Sequence, residues 1–343
     1  MAKVYFKPVN NYKTRRRELA DLIDKSNIFA DIKEGGYVAV KLHLGEIDNP
    51  NYINPMLAGV VVQKIKEKGG IPFLTDTSTL YLHQRHDAVK HISTALKHGF
   101  TYFAVGAPFI QADGLGFEEG VKLNSPGLLK ETYMASILDE SDFLVVLTHC
   151  KGHDLASYGG AIKNIGMGCG TKKTKLAVHR LVNFEVDENK CIGCGKCVTS
   201  CPGHYPKIID KKMVNDNPLC MRCLICSESC PEKAINLPNI SDMQKGLASA
   251  TKAVLDNFKE KSAFINLGID ISHSCDCLGA PGNMISPDIG YFASNDIVAV
   301  DKAFIDKCGA DIFEKELKIN PLIQIEEAEK LGAGSSKYEL IET

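Results

Sequence analysis

Two short runs of cysteines with the same spacing, 29 residues apart, constrain this chain more than any other feature. The runs are Cys191-x2-Cys194-x2-Cys197-x3-Cys201-Pro202 and Cys220-x2-Cys223-x2-Cys226-x3-Cys230-Pro231. Three closely spaced thiolates can bind one cubane of iron and sulfide, while the proline turns the chain so that the fourth thiolate reaches a neighbouring cluster. The spacing therefore predicts two [4Fe-4S] clusters in a small α+β unit of the ferredoxin type.

The fourth cysteine of each run is expected to bind the cluster that the other run holds. The first cluster then has the ligands Cys191, Cys194, Cys197 and Cys230. The second cluster has the ligands Cys220, Cys223, Cys226 and Cys201. Zinc is the alternative occupant, but a zinc site uses well-separated pairs of ligands that close one tetrahedron, and two runs of four cysteines fit that pattern poorly.

Composition indicates the compartment and excludes some partners. Thirteen cysteines in 343 residues would suggest a disulfide framework only in a short secreted chain. Residues 1–10 show no apolar signal segment, and no stretch approaches the roughly 18 consecutive apolar residues of a membrane span. The formal net charge of −2 argues against a polyanionic partner. We therefore expect a soluble, cytoplasmic protein without nucleic acid or membrane among its partners.

Outside the cysteine runs, strand patterns alternate with helix patterns. Residues 37–44 read as a buried strand and residues 54–68 as an amphipathic helix, and the alternation resumes with a helix over 241–259 and a strand over 263–271. Residues 128–138 are also predicted as a helix. This order predicts an α/β fold, with a mostly parallel sheet covered by helices on both faces.

Because the alternation continues on both sides of the cysteine runs, the ferredoxin-like unit is predicted to be an insertion. The α/β domain then comprises residues 1–184 and 240–343, and the insertion comprises residues 185–239. Residues 184–186 and 235–237 are expected to pair as the outer strands of the inserted unit.

A first polar segment follows a predicted strand at Lys41 and His43, which alternate on one face of an otherwise apolar stretch. A buried lysine needs an anion or a carboxylate. These two residues are therefore candidates for binding a cofactor. The alternative is that Lys41 pairs with a structural acid and that His43 is a core histidine with its hydrogen bonds satisfied.

The second and longest polar segment begins at the end of a predicted buried strand. Its candidate residues are His149, His153, Gly159, Gly160, Lys163 and Asn164. Two glycines that open a helix can leave backbone N–H groups free for an anion, and a lysine one turn later adds positive charge. The segment matches neither of the usual glycine motifs of nucleotide-binding proteins. A glycine-rich turn needed only for close packing is the alternative.

A third polar segment, residues 272–277, contains His273, Cys275 and Cys277, which alternation places on one side of the chain. Two thiols, an imidazole and the carboxylate of Asp276 could bind a transition metal in addition to the clusters, or present a nucleophilic thiolate. Buried cysteines that act as small apolar residues are the alternative.

Together with the cysteine runs, these segments resemble the uncharacterised iron-sulfur centre proteins of the family called domain of unknown function three hundred and sixty-two. The resemblance covers nearly the whole chain and implies an α/β fold with clusters, whereas the family's reaction is not established. The order of His153, the two glycines and Lys163 is also similar to the amino-terminal half of lactate racemase, where the lysine carries a nickel-pincer cofactor. The other histidines of that enzyme have no assignable match here.

The sequence favours a redox enzyme in which two clusters relay single electrons from a soluble carrier, such as ferredoxin or flavodoxin, to a pocket at the carboxyl edge of the sheet. The predicted catalytic residues of this pocket are His149, His153, Lys163, His273 and Cys275. An anionic small molecule is the expected substrate class. The second hypothesis is a non-catalytic electron carrier or cluster-handling protein, whose α/β domain binds a protein partner.

Overall fold

The computed structural model describes residues 1–9, 11–116 and 119–343. In chain order, its strands are β1 (Ala2–Pro8), β2 (Tyr37–Lys41), β3 (Ile71–Asp76), β4 (Phe109–Gln111), β5 (Gly120–Asn124), β6 (Glu131–Ala135), β7 (Phe143–His149), β8 (Lys151–His153), β9 (Ser157–Gly159), β10 (Glu185–Val186), β11 (Lys207–Ile209), β12 (Lys212–Val214), β13 (Ile235–Asn236), β14 (Ser262–Gly268), β15 (Gly290–Ser294) and β16 (Tyr338–Glu342). The helices are α1 (Arg15–Ser26), α2 (Pro55–Glu67), α3 (Ala88–Lys97), α4 (Tyr102–Val105), α5 (Ser136–Asp139), α6 (Ala161–Gly168), α7 (Lys172–Arg180), α8 (Lys196–Thr199), α9 (Ile225–Glu228), α10 (Ser241–Phe258), α11 (Ile297–Cys308), α12 (Ala310–Leu317) and α13 (Ile323–Lys330).

Eight of the described strands form one large sheet, in the order β16-β1-β15-β14-β7-β2-β3-β4, and the other described strands form four two-stranded sheets. Strand β15 runs antiparallel to both of its neighbours, and every other pair is parallel. The predicted mostly parallel sheet is therefore confirmed. Because β2, β3, β7 and β14 run in the same direction, their carboxyl ends meet at one edge of the sheet.

Helices cover both faces of this sheet, and strands β7 and β14 are buried along their whole length. On one face Leu144, Val146 and Phe264 pack with side chains of α6, α10 and α11. On the other face Val145 and Ile265 pack with side chains of α1 and α2. Burial on both faces explains why these strands read as continuous apolar runs in the sequence. No helix among the described residues is long and apolar enough to span a bilayer.

The helix predicted over residues 128–138 is wrong. Strand β6 occupies the middle of this segment and pairs antiparallel with β5, and helical structure is limited to the short α5. Thr132 and Met134 are buried while Tyr133 between them is partly exposed, which is the alternation of a strand.

The two limits of the predicted ferredoxin-like unit lie next to each other. The Asn183 amide donates to Asn239 Oδ1 over 2.8 Å, and strands β10 and β13 pair antiparallel, as an insertion requires. The two halves of the unit also repeat the same backbone. Positive φ angles occur at Gly193, Gly195 and His204, and again 29 residues later at Arg222, Leu224 and Lys233.

One side chain of the unit is part of the α/β core. Leu224, which follows the second cysteine of the second run, is only 2% exposed. It packs in a cluster with Ala156, Val178 and Leu247, which belong to the β8–β9 loop and to helices α7 and α10. The second cysteine run is therefore held directly against the α/β domain.

We expect the substitution Leu224→Ala to lower the free energy of unfolding by about 2–4 kcal/mol, since it removes a fully enclosed side chain and leaves a cavity. Leucine and alanine both carry a Cβ atom, so the positive φ angle at position 224 has the same energetic cost in the unmodified protein and in the variant. Leu219→Ala is the matched control, because Leu219 lies in the same unit and is 69% exposed. Anaerobic denaturant unfolding measures both. Equal losses for the two variants would contradict the shared core.

Candidate functional site

The cysteines of the first predicted ligand set surround one cavity. Cys191, Cys194 and Cys197 line it together with Cys230 from the second run. The rest of its wall includes Gly193, Ile208, Met213 and Ile235. Soft thiolates that converge in a largely apolar pocket are the donor set that a [4Fe-4S] cluster uses, so these residues fit the predicted cluster.

The second predicted ligand set also converges. Burial raises the pKa of the Cys223 thiol, and the neighbouring Cys201 and Cys220 raise it further. Burial, Cys223 and Cys220 together raise the pKa of Cys226 to about 12. Thiols that oppose one another's ionisation in this way become thiolates when they bind cationic iron. The crossed arrangement, with Cys201 beside the second run, therefore fits a second cluster.

At the carboxyl edge of the sheet, the structure brings four predicted residues together in what we call the thiol site: His153, Lys163, Cys275 and Cys277. One ligand atom from each of His153, Cys275 and Cys277 lies within 4.8 Å of the others. The Lys163 Nζ atom lies 3.4 Å from Cys275 Sγ, and the Cys277 amide donates to the same sulfur over 3.4 Å. Residues more than 100 positions apart in the sequence thus meet at this point.

The thiol site favours a thiolate at Cys275. A hydrogen bond from the Cys277 thiol lowers the pKa of Cys275 well below its ordinary value, and Lys163 and His153 lower it further. The same hydrogen bond raises the pKa of Cys277. The two cysteines therefore share one proton, with the negative charge on the buried sulfur of Cys275.

The ring of His153 is oriented as a hydrogen-bond donor to this thiolate. Its Nδ1 atom accepts the amide hydrogens of Leu155 and Ala156 over 3.2 and 3.0 Å. The proton of the neutral ring therefore resides on Nε2. Burial lowers the pKa of His153, and Lys163 lowers it further. With one nitrogen occupied and the other protonated, His153 is better suited to hydrogen-bond Cys275 than to bind a metal ion.

Asp276, between the two cysteines, fixes the loop that carries them. Its carboxylate lies 2.9 Å from Lys151 Nζ and 3.0 Å from His149 Nδ1, and it is fully buried. Burial by itself raises the pKa of a carboxyl group, but His149 and Lys151 hold the pKa of Asp276 well below its usual range. His149 Nε2 faces the Ile269 carbonyl oxygen at 3.0 Å. One ring nitrogen of His149 therefore contacts Asp276, and the other anchors the ring to the backbone after β14.

Lys41 and His43 belong to a buried ionic network beside the thiol site. Lys41 Nζ lies 3.0 Å from Asp76 Oδ1, and the guanidinium of Arg85 contacts Glu46 Oε2 at 3.3 Å. His43 Nε2 lies 3.1 Å from Arg85 Nη1. Burial lowers the pKa of His43 well below its ordinary value, and Arg85 adds to this effect. Lys41 thus pairs with a structural acid, as the alternative in the sequence analysis stated.

Asn164 is saturated by internal hydrogen bonds. Its Oδ1 accepts from Lys41 Nζ over 2.8 Å, and its Nδ2 donates to the Leu147 carbonyl and to Thr148 Oγ1 over 3.1 and 3.0 Å. These bonds tie helix α6 to the ends of β2 and β7. The predicted cofactor-binding side chains Lys41 and Asn164 therefore hold each other in place.

The helix start at Gly159 and Gly160 is not open to an external anion. The first two amides of α6, those of Ala161 and Ile162, donate to the buried carboxylate of Asp301 over 2.8 and 2.9 Å. Asp301 thus supplies from within the chain the anion that the glycines had suggested for a ligand. Gly160 has a packing role, because a Cβ atom there would lie 2.3 Å from the ring of Tyr158.

His273 lies apart from the two cysteines with which alternation had grouped it. Its Nδ1 atom lies 3.0 Å from Ser274 Oγ, and Gly282 packs against its Cβ. The backbone bends at residues 273–274 and turns at residues 276–277, so the alternation of an extended strand does not continue through this segment. Among the described residues, the imidazole beside Cys275 is that of His153.

A cleft of about 300 Å³ lies at the same edge of the sheet. His149, Leu267 and Asp270 contribute to its wall, together with Arg15 and Tyr52. The lining residues do not include His153, Lys163 or Cys275. The predicted pocket residues are therefore divided between this cleft and the thiol site, and the bond between His149 and Asp276 connects the two.

Sequence reasoning missed Asp76, Arg85 and His179. Asp76 ends a buried strand at the same edge as Lys41, which was an available signal. Arg85 lies in an irregular loop that no periodicity marks, and its only signal was the polar composition of residues 81–86. His179 is on helix α7, where its spacing looked like that of an ordinary surface residue.

The family model described as Domain of unknown function (DUF362) matches residues 38–306 of this chain. The chain belongs to this family. It also resembles the pyruvate synthase subunit PorD of Methanothermobacter marburgensis, with 36% identity over 83 residues, which are 24% of this chain and 95% of that protein.

Two solved structures resemble the fold at low sequence identity. A Thermotoga maritima protein matches with a TM-score of 0.47 and 11% identity, over 92% of this chain and 59% of its own. The lactate racemase apoprotein of Thermoanaerobacterium thermosaccharolyticum matches with a TM-score of 0.40 and 13% identity, over 87% of this chain and 55% of its own. The chain thus spans little more than half the length of either structure.

We expect Asp301→Asn to lower the free energy of unfolding by about 2–4 kcal/mol, because an amide cannot accept both helix N–H groups and brings its own donors into a buried site. Asp306→Asn, on the same helix, is the control and should cost less than about 1 kcal/mol, since this side chain is exposed. Denaturant unfolding compares the two variants. An unchanged midpoint for Asp301→Asn would show that the helix start is satisfied in another way.

Proposed function

We propose that this protein transfers single electrons through two [4Fe-4S] clusters, from a soluble carrier to a substrate that binds beside the thiol site. The crossed cysteine sets support the two clusters, and the similarity to PorD supports an iron-sulfur role in electron transfer. When bound, the clusters supply electrons one at a time. The α/β domain supplies the groups that position the substrate and deliver protons.

The observation that carries the proposal is the connection from the second cysteine run toward the thiol site through His179. His179 Nδ1 faces the carbonyl oxygen of Arg222, between Cys220 and Cys223, at 3.3 Å. Burial, with smaller contributions from the nearby His153 and Lys163, lowers the pKa of His179 to about 4. His179 therefore lies between a cluster loop and two residues of the thiol site.

A second connection runs along the other side of the site. Asp154 accepts a hydrogen bond from Ser274 Oγ over 3.2 Å, and Ser274 adjoins Cys275. Partial burial raises the pKa of Glu228, two residues after Cys226, and the nearby Asp154 carboxylate raises it further. Together with the burial of Leu224, these contacts support a short route from the second ligand set to Cys275.

The first ligand set is closer to solvent and is the proposed point of electron entry. Cys194 is exposed, and Ile192 beside it is 62% exposed. The neighbouring Lys190 and Lys196 are also exposed and would attract a carrier with an acidic surface. Ferredoxin or flavodoxin is the proposed carrier, and an anionic small molecule near Lys163 is the proposed substrate class.

The second candidate function is a non-catalytic electron carrier that serves a protein partner. It is favoured by the name of the PorD relative, which is a subunit of a larger enzyme. The exposed surface around Ile192 would then be the contact with that partner. The proton-sharing pair of the buried Cys275 and the partly exposed Cys277 favours the enzyme, because a carrier has no use for it.

We expect about eight irons and eight acid-labile sulfides per chain after anaerobic purification. The changes Cys194→Ser and Cys223→Ser, one in each ligand set, should each remove about half of the iron. Cys308→Ser is the control, because this buried cysteine lies outside both sets. Metal analysis with electron paramagnetic resonance of the reduced protein measures the outcome. About four irons in the unmodified protein, or stoichiometric zinc, would contradict two clusters.

The route to the thiol site can be tested with a nitroxide spin label on Cys277. Of the five cysteines outside the ligand sets, Cys277 is partly exposed and the other four are buried, so labelling of the intact protein should be selective. Reduction of the clusters should shorten the relaxation time of the label. We expect Cys223→Ser to remove most of this effect and Cys194→Ser to remove less. The reverse order, or no effect in the unmodified protein, would contradict delivery through the second ligand set.

A further inference from the structure

We propose that Cys275 and Cys277 form a redox-active dithiol that reduces a disulfide substrate by thiol–disulfide exchange. The inference rests on the proposed function, since electrons that arrive through the clusters regenerate the dithiol. It goes beyond that function because it identifies the reacting atoms and the chemical class of the substrate.

The first support is that the loop holds both thiols on the same side. The Asp276 side chain between them points inward to Lys151 and His149. The backbone is fixed as well, because the Glu46 amide donates to the Asp276 carbonyl over 2.8 Å and Tyr81 Oη donates to the Cys277 carbonyl over 2.9 Å. The two sulfurs are thus kept within 4.8 Å of each other.

The second support is the contrast with the other non-ligand cysteines. Cys150, Cys169 and Cys308 are buried, and burial raises the pKa of each of them. Such thiols are inert. Cys275 instead has Lys163 Nζ at 3.4 Å and the ring of His153 beside it, which are the surroundings of a reactive cysteine.

The exposure of the two residues assigns their roles. Cys277 is partly exposed, whereas Cys275 is fully buried. Cys277 gives the shared proton to Cys275 and attacks one sulfur of the substrate disulfide, which breaks the S–S bond, leaves a mixed disulfide and releases a thiolate that takes one proton from the medium. Cys275 then attacks Cys277 Sγ, and its proton goes to the second substrate sulfur, which leaves as a thiol. The products are two substrate thiols and a Cys275–Cys277 disulfide, with one proton taken from the medium, so atoms, charge and electrons balance.

Regeneration explains why two clusters serve one pair of thiols. The Cys275–Cys277 disulfide takes up two electrons and one proton to return to the thiol–thiolate pair, and each [4Fe-4S] cluster carries one electron at a time. The soluble one-electron carrier is the reductant. Lys163 and His153 stabilise the thiolate and therefore favour the reduced form of the pair.

The dithiol can be followed by mass in one tryptic peptide. Residues 262–302 lie between two lysine cleavage sites and contain Cys275 and Cys277 but no other cysteine. The anaerobic, cluster-loaded protein is treated with cystamine, denatured, alkylated with iodoacetamide and digested. We expect the untreated peptide to carry two alkyl groups and the treated peptide to carry none and contain an internal disulfide. Reduction of the treated protein with photoreduced deazaflavin before denaturation should restore both alkyl groups.

The variants separate this inference from the proposed function. Cys277→Ser should abolish the internal disulfide, whereas Cys308→Ser should behave like the unmodified protein. Cys223→Ser should slow the recovery of the thiols at least tenfold, and equal recovery would overturn the link to the clusters. A peptide that keeps both alkyl groups after cystamine, in a protein whose clusters are still reduced by deazaflavin, would overturn the dithiol and leave the proposed function standing.

A reductive titration provides a second measurement if the Cys223→Ser protein does not fold. The cystamine-treated, unmodified protein should take up about four electrons per chain, two for the clusters and two for the disulfide. The Cys277→Ser protein should take up about two. Two electrons for both proteins would overturn the inference. Failure of the clusters to accept any electrons would contradict the proposed function instead.

Discussion

The arrangement at the sheet edge depends on the ion pair between Asp276 and Lys151. His149 also contacts the Asp276 carboxylate. A carboxylate without exposure to water is tolerated only when it is fully paired and hydrogen-bonded. His149 ends β7 and Lys151 begins the adjoining β8, while Asp276 lies in the loop after β14. Their pairing joins two neighbouring strands beyond the last ladder bond. It also sets the direction in which Cys275 and Cys277 face.

The fold was largely predictable from the sequence because its central strands are buried on both faces. A strand such as β7 must then be apolar throughout, and its helices must be amphipathic, so the alternation is visible without tertiary information. The prediction was wrong for residues 128–138, where the small β5–β6 hairpin lies outside the main sheet. There, the local pattern of apolar residues does not distinguish a strand from a helix. Only the pairing of β6 with its partner strand β5 makes the segment a strand.

The sequence predicted where in the fold the site lies, but not which side chains pair with one another there. The topological argument placed His153, Lys163 and Cys275 at one edge, and the structure brings them together. Sequence could not show that Asp301, more than 130 residues away, fills the helix start at Gly160, or that Asp76 neutralises Lys41. The sequence around a charged side chain does not indicate which partner that side chain will contact in the fold. The predicted grouping of His273 with Cys275 and Cys277 failed for a related reason, because a bend in the backbone interrupts the strand alternation.

The two halves of the ferredoxin-like unit share a backbone but differ at one equivalent position. Gly195 has open space where a side chain would be, whereas Leu224 is enclosed by the α/β domain. When two halves repeat the same backbone, the backbone alone does not determine which half faces the α/β domain. Leu224, at the position equivalent to Gly195, packs the second half against the α/β domain, and in the proposed relay it gives electron transfer a direction.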